Sequence, residues 1–243
     1  PTQADDARCL TQDTFGPTPA TINALMSRGI PAWIDDQLAL PAPSLLAGMR
    51  ADIAQFPNPL DPRPGATQRY ADRENLNAAW WKIAAQAPDQ LRQRVAFALS
   101  EILVVGQSDM LGFNLESAPA YYDLLVNRAF GNFRQLLEDV TLSPAMGVWL
   151  SHQGNRKADP AKGTAPDENY AREVMQLFSI GLVQLQPDGT LLLDATGQPI
   201  PTYNQATVAE TAKVFTGWSW AYTPATNTEP ESFSHEGPPS TQY

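Results

Sequence analysis

The chain has 243 residues, 43% of them hydrophobic and 17% charged, which is enough length and apolar content to bury a sizeable core in water. A formal net charge of −10 and a pI near 4.6 argue against nucleic acid as a ligand, because affinity for a phosphate backbone is generated by Lys and Arg. No apolar run reaches the ~18 to 20 residues that cross a bilayer, since the longest, "VAFALSEILVVG", is broken by Ser100 and Glu101, and no membrane span is expected.

Helix signals dominate the first three-quarters. "GPTPATINALMSRG" offers Thr18 as N-cap, Pro19 in the first turn and Gly29 just past the end, with Ile22, Leu25 and Met26 spaced for one face. "PAWIDDQLAL" and "PSLLAGMRADIAQF" read as two further short helices. "FPNPLDPRPGA", with Asp61 and Arg63, is too rich in proline for regular structure. Two longer helices are expected over 67–87 and 88–105, followed by "SAPAYYDLLVNRAF", "GNFRQLLEDVTL" and "SPAMGVWLSHQ", where Ser143 precedes a first-turn Pro144.

After Gly181 the pattern changes. "LVQLQPDGTLLLDATGQPIPTY" divides short apolar runs at Pro187-Asp188-Gly189 and Thr196-Gly197, the signature of a small β-hairpin or meander over 182–203. "NQATVAETAKVFTG" restores a helix capped by Asn204, with Val208, Ala212 and Phe215 on one face and Gly217 at its close. Residues 221–243 are polar and proline-rich and read as coil. The expectation is one mainly α domain over 1–243, an irregular helical bundle with a β-meander insertion. The opening "PTQADDARCL" has neither initiator Met nor signal peptide, so a processed or excerpted chain is expected, the N-terminal part of a longer protein being one form of it.

The stretch "APDENYAREVMQLFSIG", residues 165–181, holds most of the candidate chemistry. On a helical wheel Tyr170, Val174, Leu177, Phe178 and Gly181 share one side, and Glu168, Asn169, Arg172, Glu173 and Gln176 the other. Glu168 and Arg172 stand four apart with the acid first, the favourable order for an ion pair. A general acid and base pair of Glu168 and Glu173 is the competing reading. It is weakened by geometry, because five residues rotate the two carboxylates roughly 140° apart. Residues 95–105 are apolar in almost every direction and predict a buried helix, on which Arg94 and Glu101 fall within about 20° of each other. A buried carboxylate must be paired or neutralised, so Glu101 either meets Arg94 or Arg172, or lines a polar cavity with a raised pKa. The resulting hypothesis is one polar cluster of Arg94, Glu101, Arg172 and one of Glu168 or Glu173. Glu101, Glu168, Arg172 and Glu173 are the candidate catalytic residues.

Other chemistry has weaker signals. Cys9 is the single cysteine, so an intrachain disulfide and a cysteine zinc site are excluded. His152 and His235 are the two histidines, without ligand spacing, and no metal or cofactor is expected. Asp188 and Asp194 read as turn residues, lacking the alternating oxygens of a calcium loop. Ser100, Ser143, Ser151 and Ser179 lack the context of a nucleophile elbow. Trp218 and Trp220 could form an aromatic surface for a sugar polymer or a protein partner, while of the adjacent Trp80 and Trp81 at least one is expected to face the core.

"LTQDTFGPTPATINAL", "LRQRVAFALSEILVV", "DENYAREVMQLFSIGL" and "TYNQATVAETAKVFTGW", four blocks in order along the chain, resemble a large bacterial family known as domain of unknown function 1800. The resemblance implies a mainly helical, commonly exported protein, periplasmic or secreted, whose activity is not established and whose members are usually longer than this chain. The leading expectation is therefore an exported interaction or assembly component with a protein or polysaccharide partner. The alternative is an extracytoplasmic hydrolase or lyase using carboxylates on polymeric material.

Overall fold

The computed structural model describes residues 2–55, 73–106 and 116–219. It is mainly helical, with eleven helices among the described residues. Contacts group the chain into two compact units, 1–139 and 140–243. The proline-rich stretch 56–66, Trp220, His235 and the expected coil over 221–243 lie outside the described residues.

The N-terminal unit contains α1 (Gln3–Asp13), α2 (Pro19–Arg28), α3 (Ile30–Ala39), α4 (Leu45–Gln55), α5 (Arg73–Gln86), α6 (Gln90–Ile102), α7 (Ser117–Arg128) and most of α8 (Phe133–Leu142). Their ends follow capping chemistry. Thr2 and Asp5 exchange side-chain bonds with each other's amides to open α1, and Thr18 and Thr21 do the same for α2. Gly29 takes φ +81, a left-handed value that lets α3 start one residue after α2 ends. Leu45, Met49 and Ile53, one turn apart on α4, are buried against Leu76 and Ala79 of α5. Fully burying each such side chain contributes about 1.5 to 3 kcal/mol. Met26 departs from the expected face of α2, since only Leu25 is fully buried and Met26 is exposed.

Residues 95–105 do not form the buried helix that their composition suggests. α6 ends at Ile102, and Glu101, Ile102 and Val104 are exposed while Ala96 and Leu103 are buried. The neighbours cover one stripe of α6, and apolar residues on its other faces remain at the surface.

The C-terminal unit contains α9 (Pro144–Trp149), α10 (Asn169–Gln176) and α11 (Gln205–Val214). Tyr170, Ala171 and Met175 of α10 and Val208 and Ala212 of α11 are buried, and the two helices pack together. α10 is shorter than the expected 165–181. Asp167 Oδ1 accepts the Asn169 amide at 2.8 Å in a local turn that fixes the start, and at the far end the amides of Ile180 and Gly181 fold back onto the Met175 carbonyl, with Gly181 at φ +73.

The expected β-meander over 182–203 is not present as a sheet. Its limbs touch through single antiparallel bridges, Val183 with Pro201, Leu185 with Leu191 and Leu193 with Pro199. Three backbone bonds close a ring: Gln184 donates to Ile200 at 2.9 Å, Ile200 to Leu192 at 3.0 Å and Leu192 to Gln184 at 2.9 Å. Each limb thus uses its central residue on both neighbours, and Pro199 and Pro201 have no amide hydrogen with which to extend a ladder.

Candidate functional site

The polar face of α10 forms a closed three-residue ring. Arg172 Nη2 lies 2.8 Å from Glu168 Oε2 and 3.2 Å from Gln205 Oε1, while Gln205 Nε2 donates to Glu168 Oε1 and Oε2 at 3.1 and 2.9 Å. Glu168 is the N-cap residue of α10 and Gln205 the first residue of α11, so the ring ties the starts of two packed helices. Its ion pair is partly exposed, with side chains 43% and 34% accessible, which places it among surface pairs worth about 0 to 1 kcal/mol. Both carboxylate oxygens of Glu168 are occupied. Glu173 takes no part in the ring, and its Oε2 is shielded without a hydrogen-bond partner.

Behind this face lies a buried aromatic cluster. The Tyr170 hydroxyl is 2.7 Å from Thr141 Oγ1, and burial pushes its pKa up to about 12. His152, 2% exposed, lies against Tyr170 with ring centroids 4.1 Å apart, and Phe215 packs edge-on to Tyr170 at 4.9 Å. His152 Nε2 is 2.9 Å from the Thr141 carbonyl oxygen, which requires Nε2 to carry the proton. Nδ1 is buried and has no partner. Burial accordingly lowers the His152 pKa, against the opposing influence of the Thr141 carbonyl and Asp167. Asn155, also buried, accepts the Asp167 amide at 2.8 Å through Oδ1, and its carbonyl accepts the Gly217 amide at 2.9 Å. These contacts fix the approaches to α10 and the end of α11.

A different surface is presented by the bridged segment. Residues directly opposite in an antiparallel pair point to the same side, as do residues two apart. Leu185, Leu191, Leu193 and Pro199 therefore share one side with Val183 and Pro201. Leu185, Leu191 and Leu193 are 57%, 49% and 50% exposed, and Leu182, Ile180 and Leu177 nearby in sequence are exposed too. The turns joining these limbs carry Asp188 and Asp194. Asp188 Oδ1 accepts from the amide and hydroxyl of Thr190, and Asp194 Oδ1 from those of Thr196 and the amide of Gln198. Those hydrogen bonds hold both exposed carboxyls below their usual pKa.

The four residues of the anticipated polar cluster divide between the units, two in each. Arg94 donates from Nε to the Gln12 carbonyl at 3.3 Å, and its guanidinium lies 5.5 Å and 5.8 Å from the rings of Phe15 and Phe97. Glu101 is exposed, so its charge is solvated and needs no arginine, correcting the expected buried carboxylate. Trp80 packs edge-on to Phe15 at 5.6 Å while Trp81 is 66% exposed. Trp218 is half-buried and its carbonyl accepts the Gly154 amide at 2.7 Å. Among the described residues no three His, Cys, Asp or Glu side chains converge as a metal site would require. Sequence spacing alone does not single out the leucine surface or the His152 cluster. The first had a visible signal in the odd-numbered apolar positions of "VQLQ", "LLLD" and "QPIP".

Fold and site together define a mainly helical protein with an apolar, acid-flanked surface on its C-terminal unit. The family model described as "Protein of unknown function (DUF1800)" matches residues 8–239, and the chain belongs to that family. No curated protein and no solved structure matches it. No helix among the described residues is long and apolar enough to cross a membrane.

Proposed function

We propose that this protein is an extracytoplasmic interaction or assembly component, and that it meets its partner through the bridged segment 182–203. The observation that carries the reading is the exposure of Leu185, Leu191 and Leu193 on one side of limbs pinned by a closed ring of backbone bonds. Scattered surface leucines need no explanation, but several grouped on one short rigid element mark a contact surface. The ring also fixes the leucines before binding, so less ordering entropy opposes association. A carboxylate-dependent hydrolase or lyase has less support, because Glu168 commits both oxygens to Arg172 and Gln205, and Glu101 stands in open solvent.

The test places a photo-crosslinking residue at Leu191, and separately at the exposed Arg8 of α1, in the native host. Covalent adducts from position 191 and none from position 8 are expected. Equal adduct formation at both positions, or none from 191, overturns the reading. Fractionation of the same cells tests the extracytoplasmic location, which a wholly cytoplasmic pool would contradict.

A further inference from the structure

We infer that the leucine surface of the bridged segment is built for a partner polypeptide whose apolar side chains are flanked by lysine or arginine. The inference rests on the contact reading above and adds the chemistry of the occupant. Between Arg172 and Lys213 the chain has no Lys or Arg, yet it carries Glu173, Asp188, Asp194 and Glu210. The two cations that bound this stretch are both engaged, Arg172 with Glu168 at 2.8 Å and Lys213 with Glu210 at 2.5 Å.

Position sharpens the argument. Asp188 stands in the turn that joins the bridged pair Leu185 and Leu191, and Asp194 follows Leu193 in the turn that returns to its bridge partner Pro199. Each leucine therefore has a carboxylate within three residues. Each of those carboxylates uses Oδ1 inside its own turn, and hydrogen bonding of that kind favours the charged form. An apolar centre with fixed negative charge beside it attracts a segment of the opposite sign and repels its own kind. A second copy docking through the same patch would bring Asp188 and Asp194 of both molecules together around one apolar contact. An anionic lipid surface would meet the same repulsion. A cationic amphipathic segment satisfies both features at once.

The experiment titrates the full chain with two labelled synthetic peptides that share leucine positions, one with Lys and one with Glu at the remaining sites. The Lys peptide is expected to bind and the Glu peptide not. Asp188→Asn with Asp194→Asn keeps the turn acceptors and removes the charge. It should weaken Lys-peptide binding by about tenfold at low salt. A control pair in the N-terminal unit, Asp35→Asn with Glu101→Gln, changes net charge equally and should leave binding within about twofold of wild type, since the inference assigns the effect to the two carboxylates beside the leucines rather than to net charge. Leu185→Ser with Leu191→Ser and Leu193→Ser, confirmed folded by circular dichroism, should abolish binding.

Dependence on the leucines without dependence on Asp188 and Asp194, or equal binding of the Glu peptide, overturns the inference while leaving a contact surface in place. So does leucine-dependent binding to phosphatidylglycerol vesicles, or a dimer that the leucine substitutions dissolve. Loss of dependence on both leucines and aspartates overturns the inference and the contact reading together.

Discussion

Asp123 on α7 caps a helix that begins seventy-eight residues earlier: its Oδ1 accepts the Leu45 amide at 2.6 Å, and its Oδ2 accepts the Ser44 hydroxyl at 2.5 Å and the Leu46 amide at 3.2 Å. The first amides of α4 have no partners within the helix and a negative group there also meets the positive end of the helix dipole. Position Asp123 therefore welds α4, the helix carrying Leu45, Met49 and Ile53, to α7.

Replacing Asp123 with Ala should destabilise the protein by about 1 to 2 kcal/mol, the cost of a lost N-cap. Burial nevertheless outweighs the bonds from Ser44, Leu45 and Leu46 and raises the Asp123 pKa above its ordinary 3.8. The folded form then holds the proton more tightly than the unfolded form, so this group's contribution to stability falls as pH rises from 3.8 through the raised value. Denaturant unfolding of wild type and Asp123→Asn at pH values across that window checks the sign. The stability of the wild type relative to Asp123→Asn should decline with rising pH.

His152 predicts the opposite dependence. Its pKa is lowered from 6.5 by burial, and protonating Nδ1 would place an N–H where the structure offers no acceptor. The unfolded chain binds the proton more readily, so His152 supports stability fully above pH 6.5 and loses that support as pH falls toward the folded value. Thermal melts should show a fall in stability in this range, and His152→Gln should flatten it.

Cys9 should be a poor nucleophile. Burial, reinforced by its hydrogen bond to Asp13 Oδ2 at 3.1 Å, pushes the thiol pKa up to about 11, and the thiolate is the reactive species. Iodoacetamide should modify Cys9 in the folded chain more than tenfold more slowly than in urea at about pH 8. Equal rates would contradict this.

Glu168→Gln tests whether the polar ring is a joint or a site of chemistry. Loss of a partly exposed pair should lower stability by about 0 to 1 kcal/mol, and Arg172→Ala should be close to non-additive with it because both break the same contact. A double-mutant cycle by denaturant unfolding provides the measurement.

Local rules made much of the fold readable. Thr18 and Asn204 cap the helices they precede, Gly29 takes a left-handed value just past the end of α2, and Glu168 meets Arg172 at the distance that i,i+4 spacing allows. What spacing could not show was which face a neighbour would cover. A wheel that is apolar all round says nothing about coverage, so the pattern predicts a buried Glu101 where the structure exposes it. Nor does local sequence announce Asp123 as the cap of α4, or Gln205 as the third member of the ring, because each acts on residues far away along the chain.

The segment 182–203 is only partly legible for a different reason. Turn residues locate its folds, but a period of two cannot distinguish limbs that pair in a ladder from limbs that close on one another through isolated bridges. The place of His152 is not legible in the sequence, because a lone histidine carries no spacing signal. Its role depends on Thr141 and Tyr170, which only the tertiary structure brings to it.

The proposed contact surface requires Leu185, Leu191 and Leu193 to be covered when the protein is at work. With Cys9→Ser as background and Leu191→Cys as the probe, maleimide labelling compares the purified chain with the same chain in its native host. Rapid labelling of the purified chain and strong protection in situ are expected, whereas equal labelling in both would contradict a covered surface.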